Sequence, residues 1–373
     1  MINRLRQLAA LGQSIWLDFI SRDLLTSGRL QNLVDQGVTG VTSNPSIFNS
    51  AITSGTDYDD EIGRLARERK TAEQIYEALV LRDITDAADV LRSVYNETHG
   101  RDGFVSIEVN PHLAHDTDGT VAEARRLFAA IGRPNVMIKV PATEAGLPAI
   151  ATLIGEGINV NATLIFAIGM YERVAAAYLE GLRQYVKTGR PLGLVSSVAS
   201  FFVSRVDTLT DDVLQHRVEH GKEVHLEALL GQAAVANAKL AYARFKAIFE
   251  SEQFEEPRVQ GARPQRPLWA STSTKNPAYP DTKYVDPLIG RYTVNTVPLA
   301  TLNALVDHGV VANTIEDNVA HAQVIMNELA ALKVDMDWVT ACLLDQGVQA
   351  FIDAYDKLIA NIETERAKLA PAQ

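Results

Sequence analysis

Apolar and polar positions along the chain alternate between two rhythms. Short apolar runs bounded by turn residues recur at 14–20 (SIWLDFI), 37–45 (GVTGVTSNP), 103–111 (GFVSIEVNP), 135–141 (NVMIKVP), 158–166 (INVNATLIF), 192–202 (LGLVSSVASFF), 266–272 (RPLWAST) and 291–298 (RYTVNTVP). Each reads as a strand. Between them apolar residues fall at helical spacing: Val121, Ala124, Leu127, Phe128 and Ile131 in one stretch, and Leu302, Leu305 and Val306 in another. A third set, Leu226, Leu229, Ala233, Ala236, Leu240, Phe245 and Ile248, predicts one long helix over 226–249. Eight strand-then-helix units imply a parallel sheet with helices outside it, closed into a (β/α)8 TIM barrel. A doubly wound open sheet is the alternative, but its glycine-rich nucleotide turn, GxGxxG, does not occur in the chain. Residues 46–102 add helical material before the third strand, and the polar segment 250–267 reads as an exposed loop. The residues after the eighth strand form additional C-terminal helices. With no convincing linker, residues 1–373 are expected to form a single domain.

Barrel strands are covered on both faces and should be nearly all apolar. Five of these runs instead carry polar residues in pairs that share a side: Thr42 with Asn44, Ser106 with Glu108, Asn161 with Thr163, Ser196 with Ser200 (Val198 between), and Ser271 with Ser273. Asp18 and Lys139 stand singly in theirs. Most lie in the later half of the run, and the carboxyl ends of barrel strands carry active sites. Structural readings exist for each. Asp18 suits a helix cap, Asn44 before Pro45 suits a turn, and strand serines and threonines satisfy backbone groups. Lys139 suits an edge position or a plain ion pair with Glu108. Yet a lysine inside an apolar strand is among the residues least often buried without a partner. Burial favours the neutral amine, which can attack a carbonyl and form a Schiff base. The iminium then acts as an electron sink for carbon–carbon cleavage. Such chemistry needs an acid to expel water from the carbinolamine and a base for the hydroxyl proton. Glu108 and Asp18 are the obvious pair.

Composition narrows the partners. The 373 residues carry a net charge of −11, with lysine and arginine dispersed, a surface that repels nucleic acid and anionic membrane. An anionic substrate therefore needs local basic residues. The single cysteine, Cys342, excludes a disulfide within the chain and reads as a small apolar residue. No run approaches the ~18 apolar residues of a membrane span, and the N-terminal segment does not read as a signal peptide; a cytoplasmic location is expected. His112, His115, Asp116 and Asp118 in PHLAHDTDGT read as helix-start chemistry rather than a metal site. His216, His220 and His225 read as a solvated helix or turn. Tyr76, Tyr171 and Tyr178 read as core. No metal is expected.

The motifs GVTSNPSIF, IEVN, IKVPAT, NVNATLIF, SFFVSRVD and WASTSTKNP resemble, in order and spacing, those of the transaldolases, over residues 14–300. The chain looks most like the longer bacterial group. The resemblance implies a cofactor-free class I aldol mechanism that moves a dihydroxyacetone unit from a ketose phosphate to an aldose phosphate in the pentose phosphate pathway. It gives Lys139 the Schiff-base role, Asp18 the proton of the donor's C4 hydroxyl, and Glu108 the acid/base role through a water positioned with Thr163. Thr42, Asn44, Asn161 and Ser200 fall on positions that hold substrate hydroxyls or the lysine region. Ser106 shares a side with Glu108, and Phe202 lines the site. Arg205 matches a phosphate-binding arginine, with an Arg205–Asp207 pairing as the alternative. The second phosphate group is either Lys275 or the serines Ser271 and Ser273. Glu108 and the length favour transfer over simple fructose-6-phosphate aldolase cleavage, which in related enzymes accompanies glutamine at that place. A non-catalytic sugar-phosphate-binding barrel and a pyridoxal phosphate enzyme, which also uses a lysine imine, are the other rivals. A homodimer through the extra helices is possible.

Overall fold

In the computed structural model, which describes residues 3–219 and 226–369, eight parallel strands close into a barrel in sequence order. They are β1 Gln13–Leu17, β2 Val38–Thr42, β3 Phe104–Glu108, β4 Val136–Pro141, β5 Val160–Ile165, β6 Ser197–Phe202, β7 Arg266–Ala270 and β8 Thr293–Val297. All eight expected runs form strands. β8 pairs with β1 across the closure, Gln13 opposite Thr293 through Leu17 opposite Val297. Nearly every strand residue is buried, as a sheet packed by side chains inside and helices outside requires. Strand alternation sends Ser14, Trp16 and Asp18 to the interior at successive heights along β1, and Phe104, Ser106 and Glu108 likewise along β3. The fully buried Trp16 fills the middle layer. It lies so close to β2 that a Cβ on Gly40 would stand 2.5 Å from its ring. Only glycine fits there.

Two helical expectations change. The stretch 226–249 is a 3-10 turn, Leu226–Leu229, followed by the helix Ala233–Phe249. Gly231 between them, at φ +67, breaks the continuous helix that the spacing implied. The polar segment 250–267 is not all loop. Glu252–Val259 is helical, with Phe254 buried as its anchor, packed edge-on to Phe249. One apolar residue in a charged stretch was too weak a periodic signal to reveal it.

The C-terminal addition decides the shape of the site. The helix Met336–Leu369 packs against Pro45–Thr53, Asp59–Arg67 and Ala72–Val90, and also meets β5. Val339, Leu343, Gly347, Val348, Phe351, Leu358 and Ile362 form its buried stripe. At Gly347 an added Cβ would come within 2.9 Å of Leu164, so glycine permits the helix to approach β5 closely. The inserted helices between β2 and β3 are tied to the barrel by a buried network. Arg22 reaches Asp83 at 2.6 Å and Glu61 at 2.7 Å, and Tyr58 donates to Asp83 at 2.7 Å. Tyr171 and Tyr178 are core residues as expected. Asp116 caps the helix Thr117–Ile131 by accepting from the Gly119 N–H. No cluster of metal-ligating side chains occurs among the described residues. His220 and His225 lie outside the described residues. Cys342 is a free, half-buried thiol. No described helix is long and apolar enough to cross a membrane.

Candidate active site

Lys139 sits near the carboxyl end of β4, in register with Glu108 on β3 and Asn161 on β5. It is 5 % exposed, and Glu108 is 8 % exposed. The ammonium group donates to the Ser43 carbonyl at 3.1 Å and to Glu108 Oε2 at 3.4 Å. Phe351, from the C-terminal helix, presents its ring 5.5 Å from Nζ. Nζ thus lies between one carboxylate, one carbonyl and an aromatic face. The edge-position reading of Lys139 is excluded, because β4 is an interior member of a closed barrel. Burial pushes the Glu108 carboxyl above its ordinary range, and Lys139 only partly opposes this.

A second carboxylate stands at the same end. Asp18 follows directly on β1 and is not a helix cap; Ser21 caps the next helix, Arg22–Thr26. Asp18 Oδ1 accepts from the Thr42 hydroxyl at 2.7 Å, and Thr42 contacts Thr296 of β8 at 2.6 Å. Burial raises the Asp18 carboxyl as well, against the Thr42 hydrogen bond and the charge of Lys139. One layer deeper, Asn161 donates to Ser106 Oγ at 3.1 Å and accepts from Ser200 Oγ at 2.6 Å. This fully buried belt joins β3, β5 and β6 beneath the lysine. It fixes the floor on which Lys139 and Glu108 stand, because all three side chains are locked by mutual hydrogen bonds.

Thr163 is carried on an irregular strand. The pairing of β5 with β6 shifts between Ala162 and Ile165, and Leu164 adopts φ +60, a left-handed conformation unfavourable for a branched side chain. Glu108 Oε1 and Thr163 Oγ1 are both buried without a protein partner. A carboxylate oxygen and a hydroxyl left free at one barrel end are the chemistry that holds and activates a water. Solvent approaches Glu108 from the side, through a cavity of about 240 Å³ lined also by Tyr76, Ile107, Glu123 and Tyr355. Tyr76 is therefore half-buried on this cavity rather than a core residue, since its helix faces an opening over β3.

The basic end forms where β6 meets the following helix, Ser204–Glu219. Arg205 lies in its first turn, with its guanidinium 5.6 Å from the Phe202 ring. Phe202 in turn packs on Phe166. Arg205 does not pair with Asp207, which accepts from the Ala234 N–H at 2.6 Å and from Tyr284 at 2.9 Å and lies 3.8 Å from Lys283. Among the described residues Arg205 and Lys275 have no carboxylate partner. Partial burial and then the charge of Arg205 push the Lys275 amine below its ordinary range, so the two cations sense each other. Ser271 is held at φ +54 and meets Ser204 Oγ at 3.0 Å. The Asn44 carboxamide oxygen is occupied as the cap of Pro45–Thr53, accepting from Ile47 at 3.0 Å. Only its amide side remains for a ligand. Ser196 leaves the cluster: it precedes β6 and bonds the Gly100 carbonyl at 3.3 Å. Ser196 stands at the amino-terminal end of β6, lining a cavity there with Val198, while Ser200 lies at the carboxyl-terminal side.

Comparison with known proteins bears on the chain as a whole. The sequence profile of the transaldolase/fructose-6-phosphate aldolase family matches residues 15–362. The chain belongs to this family. It is 45 % identical to a protein named Transaldolase 2 from a Nostoc species, over 99 % of both chains. It is 46 % identical to a Transaldolase from Saccharopolyspora erythraea, over 97 % of this chain and 98 % of that one. A Transaldolase from Mycobacterium leprae is also 46 % identical, over 98 % and 97 %.

Three residues around Lys139, Glu108 and Asp18 had no sequence signal for their place. Thr296 sits in TVNTV, where strand periodicity marks its side but not its partner. Phe351 looks like any apolar position on an amphipathic helix. Its proximity to Lys139 depends on the helix crossing the barrel end, which no local pattern encodes. Tyr76 is a third case: a half-apolar residue whose place on the Glu108 cavity follows from three elements meeting.

Proposed function

We propose that the protein is a transaldolase acting through Lys139. The observation that carries the reading is the buried lysine–carboxylate pair at 3.4 Å, at the carboxyl ends of the barrel strands, with Asp18 at the same end just after β1. The Lys139 amine attacks the carbonyl carbon of a ketose phosphate and gives a carbinolamine. Glu108, kept protonated to higher pH by burial, supplies a proton through a water shared with Thr163, and hydroxide leaves as water. Asp18 takes the C4 hydroxyl proton, the C3–C4 bond breaks, and its electrons pass into the iminium as an enamine. The aldose phosphate departs, and an acceptor aldehyde adds by the same steps reversed. Thr42 orients Asp18, and the belt of Ser106, Asn161 and Ser200 supports the lysine. Asn44, through its amide group, contributes to hydroxyl binding.

Arg205 supplies the phosphate grip, with Lys275 and Ser271 beside it and Phe202 as the apolar wall. A lysine contributes a point charge where an arginine contributes a fork. Glu108, rather than glutamine, supports transfer over plain cleavage. Sugar phosphates do not diffuse through bilayers, which supports a cytoplasmic site of action. Incubation with fructose 6-phosphate and borohydride followed by mass spectrometry tests the assignment: a stable three-carbon adduct is expected on Lys139. A folded protein giving no adduct, or one on another lysine, would refute it. With erythrose 4-phosphate present, sedoheptulose 7-phosphate is the expected product; release of free dihydroxyacetone at the same rate would instead favour the aldolase reading.

A further inference from the structure

We propose that the opposite, amino-terminal end of the barrel holds a second ligand site, which takes a small phosphomonoester with an apolar body. A cavity of about 280 Å³ opens there, just below the usual range for small-molecule sites and so suited to a small ligand. Four guanidinium groups line it, from Arg101, Arg258, Arg263 and Arg266, and none of its lining residues carries a carboxylate. In a chain of net charge −11 this is a local reversal of sign.

The partners of these arginines show how much of that charge is already used. Arg266 is buried, 3.6 Å from Asp102, and donates to Ser14 Oγ at 2.7 Å and to the Arg101 carbonyl at 3.0 Å. Asp102 also accepts from Trp16 Nε1 at 2.7 Å and from Ser14, so its charge is shared among several donors. Arg263 is held by the Gly100 and His99 carbonyls and by Ser196 Oγ, with no carboxylate. Arg258 stands at the rim, paired with Glu255. The Arg101 guanidinium itself has no hydrogen-bond or ion-pair partner among the described residues; only the Arg101 backbone is bonded, to Thr98 and Arg266. A purely structural role accounts for Arg266 and Arg263, which tie strand starts and loops together. It leaves unexplained why Arg101 is added to the same cavity, where like charges repel. A dianion resolves that repulsion, and guanidinium forks match phosphate oxygens. Phe104, Met137 and Val198 supply an apolar wall inside the barrel, so the ligand has an apolar body as well as the charged group.

Calorimetry with phenyl phosphate as the probe tests this, with phenol and inorganic phosphate as controls. The full-length protein is expected to show two classes of binding. Arg205→Ala removes the one at the carboxyl-terminal end. Arg101→Glu, at an exposed position, is expected to weaken the other by at least about tenfold, the loss of one charged hydrogen-bonding group, while circular dichroism and transfer activity stay unchanged. Arg258→Glu, also exposed, is expected to weaken the same class. Phenol and inorganic phosphate are each expected to bind more weakly than phenyl phosphate. If Arg205→Ala abolishes all binding, if Arg101→Glu and Arg258→Glu leave both classes intact, or if the wild-type protein shows no second class, the site does not exist.

Discussion

Replacing Glu108 by Gln isolates the proton traffic of the proposed imine chemistry, because the side chain keeps its shape and loses its charge and its acid. Nζ of Lys139 lies 3.4 Å from Oε2, with the two side chains only 7 % and 4 % exposed. At an effective dielectric of 20 the gross attraction at that separation is roughly 5 kcal/mol, from 332/(20 × 3.4). Desolvation of both groups offsets much of it, so the variant is expected to fold, losing at most about 3–5 kcal/mol, the usual cost of breaking a buried pair. The kinetic cost is separate. A positioned acid–base group is worth about 10²–10⁴-fold, or ~3–5 kcal/mol of barrier. Borohydride trapping on Lys139 is therefore expected to slow by that factor while the site of modification stays the same. The pH profile gives a second readout. Burial raises the Glu108 carboxyl, so its acid form persists to higher pH than for an ordinary glutamate, and imine formation declines as pH rises through that titration. Glu108→Gln removes this limb. Stability carries the same sign: a group that binds its proton more tightly when folded stabilises most below its unfolded pKa and loses that contribution as pH rises through the folded one. Stopped-flow or quenched trapping across pH, on protein shown to be folded, reads both effects. Unchanged transfer and an unchanged pH limb would refute the role given to Glu108.

Other predictions separate the remaining groups. Asp18→Asn is expected to leave trapping of the donor imine nearly intact while slowing carbon–carbon cleavage about 10²–10⁴-fold, so adducts carrying the whole donor accumulate in the mass spectrum; loss of trapping itself would contradict the division of labour. Arg205→Ala is expected to raise KM for sugar phosphates about ten- to a hundredfold, from the worth of hydrogen bonds to charged groups, with Lys275→Ala giving a smaller rise; no change in KM for either would remove them from the phosphate grip. Phe351→Ala is expected to cost about 3–5 kcal/mol of stability in urea denaturation and to reduce trapping, because it uncovers Lys139; full trapping in a destabilised variant would show the helix to be purely structural. Burial raises Asp207 from 3.8 to about 6, so its stabilising contribution is lost as pH rises through that value, a difference of about 3 kcal/mol at 1.36 kcal/mol per unit. Asp207→Asn is expected to shrink the fall in stability between pH 4 and pH 7 by about that amount, and an identical pH dependence in both proteins would refute the assignment.

The barrel was legible because it is written locally. Eight apolar runs separated by helical spacings leave few ways to cover every strand on both faces, and closure in sequence order is the simplest. Lys139, Glu108 and Asp18 were legible for the opposite reason: a charge inside an apolar run contradicts its surroundings, and contradictions of that kind mark sites. Where the signal was weak the reading went astray. Phe254 alone did not reveal a helix in a charged segment, and Gly231 interrupted a pattern that otherwise ran on.

What the sequence by itself determined is therefore the inward set and its order along the strands, since side-chain alternation has a period of two and needs no tertiary information. Which of those residues touch was decided only by the closed barrel. Register put Glu108 beside Lys139 and let Asn161 reach both Ser106 and Ser200. The seam between β8 and β1 brought Thr296 to Thr42. The packing of a helix some two hundred residues later laid Phe351 over the lysine. Contacts of such long sequence separation depend on the relative placement of rigid elements, which is set by the whole core at once and by no local run of residues.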